Sequence, residues 1–404
     1  MKYKKNKFFI ESVSLESISK KYDTPFYCYS YNKLKKNIIN FKNYFKSFNP
    51  TICFAVKSNS NLKLLKEIKK FGLGADVVSK GELILSLKAG INPKKIVFSG
   101  VGKTISELEF AIEKNILLIN SESKSEIQII EKIARSKKRK VDIGIRLNPN
   151  TDAKTLSQIS TGKKENKFGV NEKTFIELIN TYRNSNFIKI RCLSVHIGSQ
   201  IINHVPYQRM LKAVEKTISK VKYNFDYVDL GGGMGISYDT TNKKLNYKKY
   251  NNSIIKFLKK HKTQIIFEPG RSIIGNIGIL VSRVIYIKEN NNKKFVILDA
   301  GMNDLMRPAL YGAKHKILPV KKNKLKSKKS YEFVGPICET TDKFSTIKNF
   351  QLLKENDLVL ICDTGAYGSS LSSNYNVRPK PPEILIKGSS VNEIKKRQKL
   401  KDLM

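Results

Sequence analysis

Seven short apolar runs in this sequence end on residues with chemistry to offer. Those ends are Lys57; 76–79 (Asp-Val-Val-Ser); Ser99 and Gly100; 146–149 (Arg-Leu-Asn-Pro); 196–199 (His-Ile-Gly-Ser); Gly231, Gly232 and Gly233; and Glu268, Pro269, Gly270 and Arg271. Lys57 closes the run Ile52-Cys53-Phe54-Ala55-Val56. An ammonium in apolar surroundings is costly unless it is paired or gives up its proton. Lys57 is therefore either a snorkelling strand end or an amine of lowered pKa, suited to imine formation with an aldehyde. Alone, the first reading prevails; the other run ends shift the balance.

The three glycines, with Gly235, let backbone N–H groups approach an anion closely, as in a phosphate-binding turn. Without their position they would read equally as a flexible turn. Glu268, before Pro-Gly-Arg, is either half of an ion pair with Arg271 or a carboxylate that keeps the pyridine nitrogen of pyridoxal phosphate protonated, and the two readings are compatible. His196 is a satisfied core histidine or a ring that packs on a cofactor.

These groups need a scaffold that gathers strand ends. Strand-like runs occur at 52–56, 75–78, 96–98, 116–119, 141–147, 190–196, 227–230 and 264–267. Segments of helical spacing alternate with them at 62–70, 81–88, 105–114, 126–135, 172–182, 207–221 and 247–260. That alternation predicts an α/β fold, a (β/α)8 TIM-type barrel, whose active site lies at the C-terminal strand ends. A doubly wound sheet would show an early G-x-G-x-x-G, which is absent. Beyond residue 278 the rhythm changes to strand-like runs at 279–288, 294–299, 331–335 and 358–363, predicting a mostly β C-terminal domain. The expected organisation is an N-terminal segment 1–30, whose run 26–29 pairs with the β domain, a barrel at 31–278, and a β domain at 279–404 that completes the site.

Composition removes other classes. The net charge of +42 comes almost wholly from lysines spread along all 404 residues, while arginine, the usual base and phosphate reader, is scarce. No recognition motif accompanies the charge, so no specific nucleic-acid partner is expected. The dense runs at 321–329 and 395–401 read as solvated loop and tail. Five cysteines argue against a disulfide framework; Cys28, Cys53 and Cys192 sit in apolar runs as core residues. No run reaches signal-peptide or membrane-spanning length. The expectation is a cytoplasmic protein without membrane contact.

Together the motifs resemble the pyridoxal-phosphate decarboxylases with an alanine-racemase-like barrel, and within them the diaminopimelate decarboxylase family. The resemblance runs from about Thr24 to Lys387. Residues 54–59 (Phe-Ala-Val-Lys-Ser-Asn) resemble the Schiff-base lysine segment, and 196–200 the ring-stacking histidine followed by a phosphate-contacting serine, Ser199. Residues 231–233 resemble the phosphate loop and 268–271 the pyridine-nitrogen segment. Residues 302–311 and 335–342 are similar to the diaminopimelate-type segments; ornithine-type relatives follow the cysteine with Asp-Gly, where this chain has Glu339 and Thr340.

The resemblance implies that Lys57, His196 and Cys338 are catalytic. It implies a pyridoxal 5'-phosphate site of Lys57, His196, Ser199, Gly233, Glu268, Pro269, Gly270, Arg271 and Tyr367. It assigns the distal carboxylate of meso-diaminopimelate to Arg271, Arg307 and Tyr311, and its distal ammonium to Glu339, with Tyr367 nearby. It also implies a homodimer with shared active sites, no metal, and L-lysine and CO2 as products. Leu156 departs from the pattern, since many members carry histidine there. The rivals are ornithine or carboxynorspermidine decarboxylation, racemisation, a pyridoxal-phosphate carrier without turnover, and RNA binding from bulk charge.

Overall fold

The computed structural model describes residues 1–153, 155, 157–238, 244–290 and 293–404. Leu156 lies outside them. The chain forms two compact units.

In the unit of Ile39–Ile236 and Lys243–Ser272, eight parallel strands close into a barrel. They are Thr51–Ala55, Gly74–Val77, Ile96–Phe98, Leu118–Ser121, Val141–Arg146, Ile188–Ser194, Tyr227–Asp229 and Gln264–Phe267. The expected barrel is thus the observed fold. Its strands read as short, continuous apolar runs because helices cover one face and packed side chains fill the other.

The outer helices begin where the sequence supplies acceptors. The side chains of Asn61, Ser79, Thr104, Ser123, Asn171 and Asn246 each accept a first-turn N–H, worth about 1 kcal/mol apiece. Thr104 and Glu107 form a full capping box. Helix Lys124–Ser136 turns Ile127, Ile130, Ile133 and Ala134 inward. That spacing is one helical face, and each buried isoleucine contributes roughly 1.5–3 kcal/mol. The strands are thereby held from outside, and their polar ends open together at one rim.

The other unit comprises Met1–Ile38, Ser237–Asn242 and Ile273–Met404. The long strand Gly278–Asn290 is its spine, antiparallel to Phe26–Ser30, Lys293–Leu298 and Leu358–Cys362. Phe26–Ser30 in turn runs parallel to Glu383–Lys387. Phe26, Cys28, Ile279, Val281, Leu360, Ile384 and Ile386 pack as its core. One reading of the C-terminus is corrected in part: Lys395 is exposed as expected but belongs to a strand. Residues 383–387 and 390–395 form a hairpin, and Lys395 ends its second strand with Nζ 3.5 Å from Glu383 Oε1.

Candidate active site

Strand Thr51–Ala55 runs into a single 3-10 turn, Val56–Ser58, which presents Lys57 at the barrel rim. Lys57 Nζ lies 3.0 Å from Oδ2 of Asp76, the next strand's fully buried carboxylate. The turn is braced from the eighth strand. Ala55 donates its N–H to the carbonyl of Pro269, and a Cβ on Gly270 would meet Ser58 Cβ at 2.9 Å. Pro269 and Gly270 therefore fix where Lys57 stands.

His196 follows strand Ile188–Ser194. The N–H of Gly232 donates to its Nδ1 across 3.1 Å, so Nδ1 carries the lone pair. Burial pushes the imidazole pKa well down, and the cations of Arg146 and Lys57 add to this. The ring is neutral, with its hydrogen on Nε2. The glycine turn itself tolerates no side chain. A Cβ on Gly232 would stand 2.1 Å from the Glu268 carbonyl, and one on Gly233, whose φ is +87°, would stand 2.3 Å from the Gly198 carbonyl. Tyr207, fully buried beneath it, donates its hydroxyl to the Gly232 carbonyl. Ser199 Oγ accepts from Nη2 of Arg271 at 3.1 Å, which ties the sixth and eighth strand ends together.

Glu268 is buried, and its Oε1 accepts from Ser99 Oγ at 3.1 Å. Its pKa is raised well above the usual range by burial first, then by the nearby charges of Asp229 and Asp76. Asp229, to which it is hydrogen-bonded, is pushed up to about 6, again chiefly by burial. Asn120 Nδ2 and the Gly231 N–H each donate to Asp229 at 2.9 Å. At least one of these two acids holds a proton, because two adjacent buried carboxylates repel.

A cavity of about 320 Å³ opens among these groups, lined by Lys57, Ser99, Arg146, His196 and Glu268. Arg146 is fixed by Glu122 Oε1 at 2.8 Å, and the same buried carboxylate accepts from the N–H groups of Gly100 and Gly169. A larger groove, about 790 Å³, lies between helices Val205–Val221 and Tyr247–Leu258. It is lined by lysines and none of the strand-end groups, so the smaller cavity is the candidate.

The remaining implied residues lie in the β unit. Arg307 and Tyr311 stand one turn apart on helix Arg307–Tyr311, the arginine buried and the tyrosine half-buried. Cys338 and Glu339 are exposed in the turn after strand Tyr331–Val334. Asp342 anchors that turn by accepting from the N–H groups of Ile337 and Met302, each at 2.7 Å. Glu339 accepts from the Tyr375 hydroxyl at 2.7 Å and from Thr341 Oγ1 at 3.1 Å. Tyr367 adopts φ +57° in the turn after strand Leu358–Cys362. A left-handed tyrosine is costly and marks a turn held by its surroundings.

The pyridoxal binding domain of the pyridoxal-dependent decarboxylases matches residues 31–275. The chain belongs to that family. Among curated relatives, the diaminopimelate decarboxylase of Helicobacter pylori J99 is 43% identical over 392 residues, covering 96% of each chain. That of Aquifex aeolicus is 40% identical, covering 98% of this chain and 95% of its own. The crystal structure of the H. pylori diaminopimelate decarboxylase complexed with L-lysine superposes with a TM-score of 0.89 at 42% identity, over 96% of this chain and 98% of that one. The M. jannaschii enzyme, also with L-lysine, gives 0.93 at 33% identity, over 100% and 96%. Within the pyridoxal-dependent decarboxylases, this chain is a member of the diaminopimelate decarboxylase family.

Sequence reading of this decarboxylase missed several groups. Asp76 and Arg146 were noted at strand ends without a role; Glu122, Asn120, Asp229 and Tyr375 were not singled out. Asp229 had a signal, an acid directly before the Leu-Gly-Gly-Gly turn, and Glu122 another, an acid three residues beyond the apolar run 116–119. Tyr375 had none, because it sits 36 residues from Glu339 in an irregular segment.

Proposed function

We propose that this chain is a pyridoxal 5'-phosphate-dependent carboxy-lyase that converts meso-2,6-diaminopimelate to L-lysine and CO2. The observation carrying this reading is the convergence of the Lys57 amine, the neutral His196 ring and the buried Glu268 carboxyl on one cavity at the barrel rim. The residues fit the cofactor. An amine suits its aldehyde, the glycine turn, in which an added Cβ would collide with backbone, suits its phosphate, and a buried acid suits its ring nitrogen.

Lys57, Ser199, Gly233, Arg271 and Tyr367 would hold the group, with His196 against the face of its ring. Bound pyridoxal phosphate supplies the sink for the electron pair that CO2 leaves behind. The chain's own residues do the rest. Asp76 keeps the Lys57 amine aimed into the cavity. Glu268, whose proton burial retains, would supply the hydrogen bond to the ring nitrogen, with Asp229 as its hydrogen-bonded neighbour. Gly232 fixes the His196 tautomer, so the ring offers a neutral face. Arg307 and Tyr311, with Arg271, are assigned the distal carboxylate, Glu339 the distal ammonium, and Cys338 the return of a proton to the reacting carbon. Cationic forks and an anion suit the zwitterionic end of such a substrate.

Lys57, Ser199, Gly233 and Arg271 lie in the barrel unit, and Cys338 and Glu339 are exposed in the β unit. We infer a homodimer in which Cys338 and Glu339 are contributed by the partner chain. A cytoplasmic location agrees with five free cysteines.

The test is product analysis. The protein loaded with pyridoxal phosphate should release L-lysine and CO2 in equal amounts from meso-diaminopimelate. Comparable kcat/KM on ornithine or lysine would overturn the substrate assignment.

A further inference from the structure

Arg307 is enclosed by two residues with no role assigned so far. Its Nη1 lies 2.7 Å from Nε2 of His315, and its guanidinium carbon sits 4.5 Å from the centroid of the Tyr238 ring. The His315 ring meets Tyr238 edge-on, at 5.1 Å and 74°. Nδ1 of His315 is 2.7 Å from the carbonyl oxygen of Cys362, the last residue of strand Leu358–Cys362. Arg307 and His315 are 5% and 3% exposed, so water does not replace these contacts.

The hydrogen positions follow from donor and acceptor counts. A guanidinium has five N–H donors and no acceptor, so Nε2 of His315 must carry a lone pair. A carbonyl oxygen only accepts, so Nδ1 must carry the hydrogen. His315 is thus a neutral imidazole in one tautomer, pinned to a strand end and accepting from the arginine. One contact sets rotation of the guanidinium in its plane, and the Tyr238 face sets the tilt of that plane.

We propose that His315, with Tyr238 beneath it, is a positioning residue for recognition of the substrate's distal carboxylate: it holds the Arg307 fork in the orientation that a carboxylate accepts. The inference rests on the assignment of Arg307 to that carboxylate. Bidentate pairing depends on fork orientation, and an arginine already fixed loses little freedom on binding. His315 therefore acts on affinity for a carboxylate-bearing ligand, not on the reacting end.

The distal end of diaminopimelate survives the reaction, so L-lysine still carries that carboxylate, and cadaverine is the same chain without it. Calorimetry on the full-length protein loaded with pyridoxal phosphate should give dissociation constants for both. His315→Ala should weaken L-lysine tenfold or more and leave cadaverine within about twofold. His315→Gln, whose amide oxygen accepts from the guanidinium, should recover most of the loss. Tyr238→Leu should lower the same lysine-to-cadaverine preference, and it carries the test if His315→Ala fails to fold. Equal weakening of both ligands, or of neither, overturns the proposal. If Arg307→Ala leaves L-lysine binding unchanged, the carboxylate assignment of Arg307 is what falls.

Discussion

The N–H of Gly232 reaches Nδ1 of His196 across 3.1 Å. One bond thus joins the anion-type turn after the seventh strand to the ring after the sixth, and it sets that ring's tautomer. Displacing the turn should disturb the ring as well. Gly232→Ala places a methyl carbon 2.1 Å from the Glu268 carbonyl, so the turn must move. Affinity for pyridoxal phosphate should fall more than tenfold by fluorescence titration, and the melting temperature should drop with it. Gly102→Ala is the control, since a Cβ there meets nothing within 4 Å. Unchanged affinity in Gly232→Ala would remove the turn from the phosphate site.

Lys57→Ala should abolish turnover and the absorbance band of the bound cofactor. It also strands Asp76, a carboxylate with no exposure, without its cation. Because Lys57 itself is about a third exposed, the stability cost should be at the lower end for a broken pair, roughly 1–3 kcal/mol. The double variant Lys57→Ala, Asp76→Asn should regain most of it in urea unfolding. Near-native activity in Lys57→Ala would defeat the proposed chemistry.

Asp229 gives a pH signature without cofactor. Its pKa is 3.8 as a free side chain and about 6 in the fold, so the folded state binds its proton more tightly. The stability from that proton is fully present below about pH 4 and is lost as pH rises to about 6. The full difference is worth at most about 3 kcal/mol at 1.36 kcal/mol per unit. Asp229→Asn cannot titrate. Its stability relative to the native chain should therefore move in the variant's favour by about 1–3 kcal/mol between pH 4 and pH 7. A constant difference across that range would show that Asp229 is not held protonated by burial.

Under the proposed sharing of active sites, Lys57→Ala and Cys338→Ala should be complementary. Random re-pairing yields about half mixed dimers, each with one native site and one doubly mutated, so about a quarter of wild-type activity should return. Glu339→Ala in place of Cys338→Ala should behave alike. No gain, with subunit exchange shown by mass labelling, would mean that each chain builds its own site.

Local sequence determined a large part of this protein. The eight barrel strands are legible because each is a short apolar run covered on both faces, and the helices because acceptors such as Thr104 and Ser123 precede apolar spacing of period 3.6. The chemical types at the strand ends were legible for the same reason. Helix Tyr31–Tyr44 was not read, since its polar and lysine content dilutes the periodicity, nor were the opening strands Lys2–Lys4 and Lys7–Ile10. What only the tertiary structure decided is pairing. Parallel pairing of neighbouring barrel strands brings Asp76 to Lys57 and Asp229 to Glu268, and the β unit brings Tyr375 to Glu339 and His315 to Arg307. Periodicity is fixed by neighbours one turn away, whereas a buried charge takes whichever partner the closed fold delivers, and burial then decides which of them keeps its proton.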